Sequence, residues 1–432
     1  MPLFDRNALP AGVRRREVLA WASYDFANSG YTTVVLTAVF NAYFVSVVAQ
    51  SLAYPTLAWT LAISLSSLLV FLLLPALGAY ADVHANKKKL LAILTVACVL
   101  TTAALALAGP TTFWLAVAAI VLSNFFFQAG VAINSAFLPE IAKPEAFGKV
   151  SGWGWSLGYV GGLLALGVCL AYVLSAQAAG QAATQYVPVT MLLVAALYGI
   201  SAIPMFVFLR ERAQPQPAQS VQHVLRHSLR QLWQTLRGLR EFPDFGWLLL
   251  CGLTYQAGIA VVIALAAIYA QQVMHFSMAQ TMTLILIVNI TASIGAFGFG
   301  YVQDRLGHRN ALALTLFGWM LMVLLAAMTD TPGAFWAAAN VAGLCMGSSQ
   351  SAGRAMVAYV APVARRAEFY GLWNAALGIS AIIGPPTYGL VTWLSNNNHH
   401  LAMLISGLYF LFGLLLLLKV DMQRGHQKAA AL

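Results

Sequence analysis

Asp25 and Arg354 are charged residues in stretches that otherwise read as membrane-spanning helix, WASYDFANSGYTTVV (21–35) and QSAGRAMVAYV (350–360). A charge near the bilayer centre costs about 2.5–3.5 kcal/mol on insertion scales, so each needs a compensating use. Two kinds of chemistry suit the pair. In one, the Arg354 guanidinium forks onto the carboxylate of a zwitterionic ligand while Asp25 receives its ammonium. In the other, Asp25 carries a proton, held when the site is desolvated and released when Arg354 approaches. A third reading gives them no ligand: the two neutralise each other, or helix ends, and fix packing. Asn28 and Thr32 follow Asp25 at i+3 and i+7, on one face of a helix, and Tyr24 precedes it. Gln128, Asn134 and Ser135, then Tyr255 and Gln256, then Ser348, Gln350 and Ser351 add further polar groups within apolar runs. Lipid offers them no hydrogen bonds, so they face protein or a water-filled cavity.

Enzyme chemistry lacks its parts. There is no HExxH, GxSxG, GxxxxGK[ST] or paired acidic metal motif. The histidines (His84, His223, His227, His275, His308, His399, His400 and His426) all fall in expected loops or tails, His399 and His400 in an external turn, SNNNHH. Cys98, Cys169, Cys251 and Cys345 lie singly in apolar runs, without metal-ligand or disulfide spacing. No metal or other cofactor is expected. Trp153 and Trp155 suit substrate contact or aromatic packing, and Gly158, Gly161 and Gly162 allow helices to approach closely.

The elements that carry these residues follow from composition. Of 432 residues, 60% are hydrophobic and 8% charged, against about 25% charged in a soluble domain. The solvent for most of the chain is lipid. Apolar runs long enough to span a bilayer, about 20 residues each, lie at roughly 18–48, 56–81, 89–108, 112–138, 151–174 and 187–209. After an interruption they resume at roughly 246–272, 278–302, 310–328, 333–361, 367–394 and 401–420. All 23 Lys and Arg residues except Arg354 fall before the first span, after the even-numbered spans, or at the C-terminus. The odd-numbered spans are followed by loops with none. The positive-inside rule then places both termini in the cytoplasm. The net charge of +10 is topology, and nucleic acid is excluded as a partner. By the rise of a helix, Asp25 lies about 13 Å past Arg16 and Arg354 about 16 Å before Arg365, both in the cytoplasmic half.

Residues 1–209 and 246–432 are therefore expected to form two six-helix bundles, joined by 210–245. That joining segment opens with RERAQPQPAQ, a Pro/Gln-rich linker, and continues with Leu225, Leu229, Leu232, Trp233, Leu236 and Leu239 at helical spacing. The pattern fits an amphipathic helix on the inner leaflet. The halves repeat each other: GAYADVHANKKK (78–89) follows the second span and GYVQDRLGHRN (300–310) the eighth. Each has Gly, three residues, Asp and a basic cluster, built on Gly78 and Asp82 in one copy and on Gly300 and Asp304 in the other.

Two parallel six-helix repeats are the architecture of the major facilitator superfamily, and GYVQDRLGHR resembles that superfamily's signature between its eighth and ninth helices. The first copy departs from it, with Val83 and Ala85 where Arg and Gly stand in the pattern. YDFANSGYTTVVLTAVFNAYF, NSAFLPEIAKPEAFGKVSGWGWSLGYVGG and QSAGRAMVAYVAPVARRAEFYGLWNAALGISAIIGP resemble the branch called the unknown major facilitators. That branch is similar to fungal vacuolar effluxers that release amino acids after autophagy. The third segment departs at Ala376–Leu377, where the family pattern has Gly-Lys.

The resemblance implies an all-α membrane protein of twelve transmembrane helices, with the first, fourth, seventh and tenth lining a central cavity. It implies that Asp25, Arg354, Tyr24, Asn28, Gln128, Asn134, Tyr255, Gln256 and Gln350 serve substrate binding or coupling. At the cytoplasmic face, Asp304 with Arg305 and Arg309 is expected to lock helices, with Gly307 in the same motif. Glu140 is expected either to pair with Arg365 or Arg366 as a gate or to be a solvated acid, and Glu368 has the same two readings. The expected function is secondary transport by alternating access, with an amino acid or similar polar metabolite as substrate and protons as a candidate coupling ion. The alternative is an efflux carrier for amphipathic organic compounds. A monomer in a bacterial inner membrane is the expected setting.

Overall fold

The computed structural model of the protein describes residues 9–143, 147–212, 226, 230, 241–328, 331–362 and 366–430. Backbone groups in lipid must find their hydrogen bonds within the chain, so the apolar runs become helices. In order they are α1 (Arg15–Tyr31), α2 (Pro55–His84), α3 (Lys87–Ala104), α4 (Phe113–Ser135), α5 (Phe147–Ala178) and α6 (Ala183–Phe208). Then come α7 (Pro243–Gln272), α8 (Met278–Leu306), α9 (His308–Met328), α10 (Pro332–Val360), α11 (Arg366–Leu394), α12 (His399–Leu417) and the short α13 (Met422–Ala430). Among the described residues no strand occurs, and eleven helices are long and apolar enough to cross a membrane. The exception among the long ones is α10, 29 residues, whose GSSQSAGR stretch is polar. This is an integral, multi-pass membrane protein.

Local sequence explains the helix ends. Pro55, Pro243 and Pro332 open α2, α7 and α10, where a missing N–H leaves nothing unpaired. Asn398 caps α12, its side chain accepting from Leu401 N at 2.9 Å. The chain beyond α1 stays helical to Val48 but widens into π-helical turns at Thr32–Ala38 and Phe44–Val48. Thr37 Oγ1 donates to Thr32 O, five residues back, at 3.0 Å. One sequence expectation needs correcting. His399 and His400 are not in an external turn but open α12, where Tyr388 OH pairs with His399 Nδ1 at 3.0 Å and His400 Nδ1 lies 2.9 Å from Ala327 O. The polar SNNNHH loop ends two residues earlier than its composition suggests, at Asn398, because Asn398 is the cap.

Two compact units divide the chain. One comprises Met1–Pro55 and Leu65–Leu225, the other Thr56–Ser64 and Arg226–Leu432. In the first, α1 packs on α5 and α6, and α3 on α4 and α6. In the second, α7 packs on α11 and α12, and α9 on α10 and α12. The same neighbours recur six helices later, as the repeated motifs require. In the second unit α8 also packs closely on α10 through Gly295 and Gly343. Apart from Arg226 and Arg230, which are helical and exposed, the amphipathic segment expected at 225–240 lies outside the described residues.

Candidate functional site

Asp25 sits on α1 where that helix presses against the glycine-rich face of α5. Its Oδ1 accepts from Asn134 Nδ2 on α4 at 3.3 Å, and its other oxygen lies over Gly154. Trp21, one turn earlier, covers the same spot and is anchored by Nε1 donating to Asn134 O at 2.9 Å. The carboxylate is half-buried, Asn134 is 1% exposed, and Asn134 Oδ1 has no partner among the described residues. An ionised carboxylate gains from more than one donor, and among the described residues the amide supplies its one hydrogen bond. No described Lys, Arg or His of the same unit forms an ion pair with Asp25. The arrangement can take up a proton or an N–H donor.

Tyr24 and Asn28 turn away from this spot into the interior of their unit. Tyr24, fully buried, lies 2.9 Å from Thr95 Oγ1 on α3, and Thr95 passes its own hydrogen to Leu91 O at 2.7 Å. Tyr198 on α6 donates to Asn28 Oδ1 at 2.8 Å and approaches Tyr24 OH at 3.2 Å. The shared face expected for Asp25, Asn28 and Thr32 is thus divided, because helices pack on both sides of α1. Thr32 spends its hydroxyl on Asn28 O at 3.2 Å. Gln128 donates to Ser66 and Ser67 on α2 at 3.4 and 3.3 Å, and Asn124, one turn earlier, also reaches Ser66.

In the second unit Gln256 on α7 and Gln350 on α10 exchange two amide hydrogen bonds, each 3.2 Å. Tyr255 is fully buried, its hydroxyl against Gly353 beside the ring of Trp373. Arg354 lies four residues after Gln350 on α10, hence on the same helix face; its side chain lies outside those described.

The motifs expected at the cytoplasmic face resolve in part. Glu140 pairs with Lys87 Nζ at 3.3 Å and accepts from Arg212 N at 2.7 Å; its expected pairing with Arg365 or Arg366 falls outside the described residues. Arg365 and the side chains of Arg366, Glu368, Asp82 and Asp304 lie outside the described ones. Gly78 has open space where a side chain would stand. Arg305 is exposed, and Arg309 donates to Leu418 O at 2.9 Å. Gly307 is the single residue between α8 and α9, at φ +78°, a left-handed conformation that suits glycine. Ala85, at the equivalent turn after α2, takes φ +50°, so the first motif copy keeps the turn while lacking the glycine.

A family model described as vacuole effluxer Atg22 like matches residues 56–148 and 143–430. The chain belongs to that family. It is 27% identical over 381 residues to an uncharacterized MFS-type transporter, YxiO, of Bacillus subtilis, covering 85% of this chain and 86% of that protein. To autophagy-related protein 22-1 of Penicillium rubens it is 22% identical over 305 residues, 66% of this chain and 51% of that one. A D-xylose-proton symporter crystal structure superposes with a TM-score of 0.73 at 15% identity, covering 95% of this chain and 98% of the other. For a point mutant of the nucleoside transporter NupG the TM-score is 0.70 at 17% identity, with 94% and 98% covered. At such identities the structures show the fold, which is the major facilitator fold. The protein is a secondary transporter of that superfamily, with small-molecule substrates and a lipid bilayer around it.

Sequence reading of this Atg22-like chain missed partners more than sites. Gly154 beside Asp25, and Thr95 and Tyr198 around Tyr24, come from other helices, and no spacing along one helix reveals them; Trp21, four residues before Asp25 on α1, was open to that arithmetic. Two clasps also went unread. Glu17 in the first turn of α1 is held by Arg212 beyond α6 at 2.9 Å. Asp244 in the first turn of α7 is held by Arg424 beyond α12 through two bonds, 2.6 and 2.8 Å. A signal was available: an acid opens each half and an arginine follows its last helix.

Proposed function

We propose that this transporter carries an amino acid or a similarly small zwitterion, coupled to protons through Asp25. The observation that carries the reading is the setting of Asp25: an acidic side chain at membrane depth, half-buried, with one amide donor and no described cation of its own unit beside it. Such a carboxylate is costly to keep charged, and functional use is the usual reason a membrane helix retains one. Each half contributes one charge from a polar helix, Asp25 from α1 and Arg354 from α10, and an amino acid carries the two complementary charges. The family's vacuole-effluxer description agrees with export of such molecules. The positions of the basic residues favour twelve spans with both termini in the cytoplasm, and a bacterial inner membrane suits that topology.

The test is counterflow in proteoliposomes preloaded with mixed amino acids and offered labelled members singly, with Arg354→Ala as control. Uptake above empty vesicles that disappears in Arg354→Ala is the expected result. No counterflow with any amino acid would sink the substrate class and turn the search to amphipathic organic compounds.

A further inference from the structure

We infer that Gly154 on α5 is a positioning residue for Asp25, its missing side chain leaving the space in which the carboxylate meets the Asn134 amide. The inference rests on the reading of Asp25 as the proton-carrying group. A Cβ built on Gly154 would overlap Asp25 Oδ2 and would stand 2.9 and 3.1 Å from two carbons of the Trp21 ring. The ring cannot yield freely: it is 4% exposed and its Nε1 is tied to Asn134 O. The carboxylate would therefore be the group displaced, and Asn134 Nδ2, at 3.3 Å, is the donor it would leave. Asn134 is itself buried, and its unpartnered Oδ1 offers an acceptor to a protonated carboxyl once the amide turns. The seam continues along α5, where Gly158 faces Ser29 and the backbone of Asp25.

The other titratable groups around this seam are already engaged or lie further along. Glu17 is held by Arg212, Tyr24 lies against Thr95, Tyr31 against Ser123, and Tyr198 on α6 donates to Asn28. On α5, Lys149 precedes Gly154 by five residues, its side chain outside those described, while Tyr159, Cys169 and Tyr172 follow Gly154 by one turn or more, and α4 carries no titratable side chain. Among the described side chains of this unit, control of the proton on Asp25 falls to the amide on α4 and the gap on α5.

The test needs no substrate, so failed amino-acid counterflow would leave it readable. Dicyclohexylcarbodiimide adds across a protonated carboxyl, giving an O-acylisourea that rearranges to a stable N-acylurea. Its labelling of Asp25 in the purified protein in nanodiscs is followed by peptide mass spectrometry against pH. Gly154→Ala is expected to label with a midpoint about one pH unit higher than the parent, a tenfold change in proton affinity, because the donor favouring the charged form is lost. Gly154→Ala combined with Trp21→Phe, which removes the second ring, should return toward the midpoint of Trp21→Phe alone. Gly158→Ala, a change at the same helix seam, should stay at the parent value. An unchanged midpoint in Gly154→Ala, or an equal shift in Gly158→Ala, would overturn the inference. If Gly154→Ala alone does not reach the membrane, the double variant decides: a midpoint matching Trp21→Phe supports the inference, and a displaced midpoint or failure to fold overturns it.

Discussion

Replacing Arg212 by alanine should loosen the end of the first unit where α1 begins and α6 finishes, by an amount the structure lets one work out. Glu17 is 2% exposed and accepts two bonds from Arg212 Nη2, at 3.0 and 2.9 Å. Removing one partner of a buried ion pair costs about 3–5 kcal/mol when nothing else holds the remaining charge. Here Arg14 N at 3.1 Å and Arg210 N at 3.4 Å stay in place, and the Arg212 side chain is 30% exposed. Those two facts bring the expected loss to about 2 kcal/mol, the middle of the range for a hydrogen bond to a charged group. Glu17→Gln keeps the shape and removes the charge. Combined with Arg212→Ala it should show a coupling of about 1–1.5 kcal/mol in a double-mutant cycle. Unfolding in mixed micelles with increasing sodium dodecyl sulfate gives the four stabilities. Coupling below about 0.5 kcal/mol, the level of an ordinary surface pair, would refute the clasp. The Asp244–Arg424 cycle should give a smaller coupling, because the Arg424 side chain is 58% exposed.

Other consequences are equally direct. Ala85→Gly should raise stability by about 0.5–1 kcal/mol and Gly307→Ala should lower it by about 1 kcal/mol, since both positions are left-handed; the same unfolding assay reads both. Tyr198→Phe leaves Asn28 Oδ1 without its donor inside the bundle and should lose about 1–3 kcal/mol. Gln350→Leu strands the Gln256 amide, and the double change Gln256→Leu/Gln350→Leu should be more stable than either single variant.

Much of the architecture was legible because lipid imposes one rule on every apolar run. Span positions, the six-helix repeat and the Asp/basic motifs follow from periodicity and charge placement alone. The grouping of side chains was less legible. Asp25 and Asn28 share a face by arithmetic, yet Tyr198 on α6 takes one and Asn134 on α4 the other, which depends on which helices flank α1. From sequence Glu140 has two readings, a gate acid or a solvated one, and neither names Lys87 or Arg212, which the packing of α3, α4 and α6 brings to it. The histidines opening α12 were misread because a cap asparagine looks like a loop residue until the helix it caps is seen.

The most direct test of the account is whether a proton gradient drives accumulation through Asp25. Proteoliposomes would be assayed for exchange at equal pH and for uphill accumulation under an imposed pH gradient, using an amino acid that shows counterflow. Asp25→Asn should keep exchange and lose gradient-driven accumulation. Accumulation that survives in Asp25→Asn would contradict the assignment of Asp25 as the coupling group.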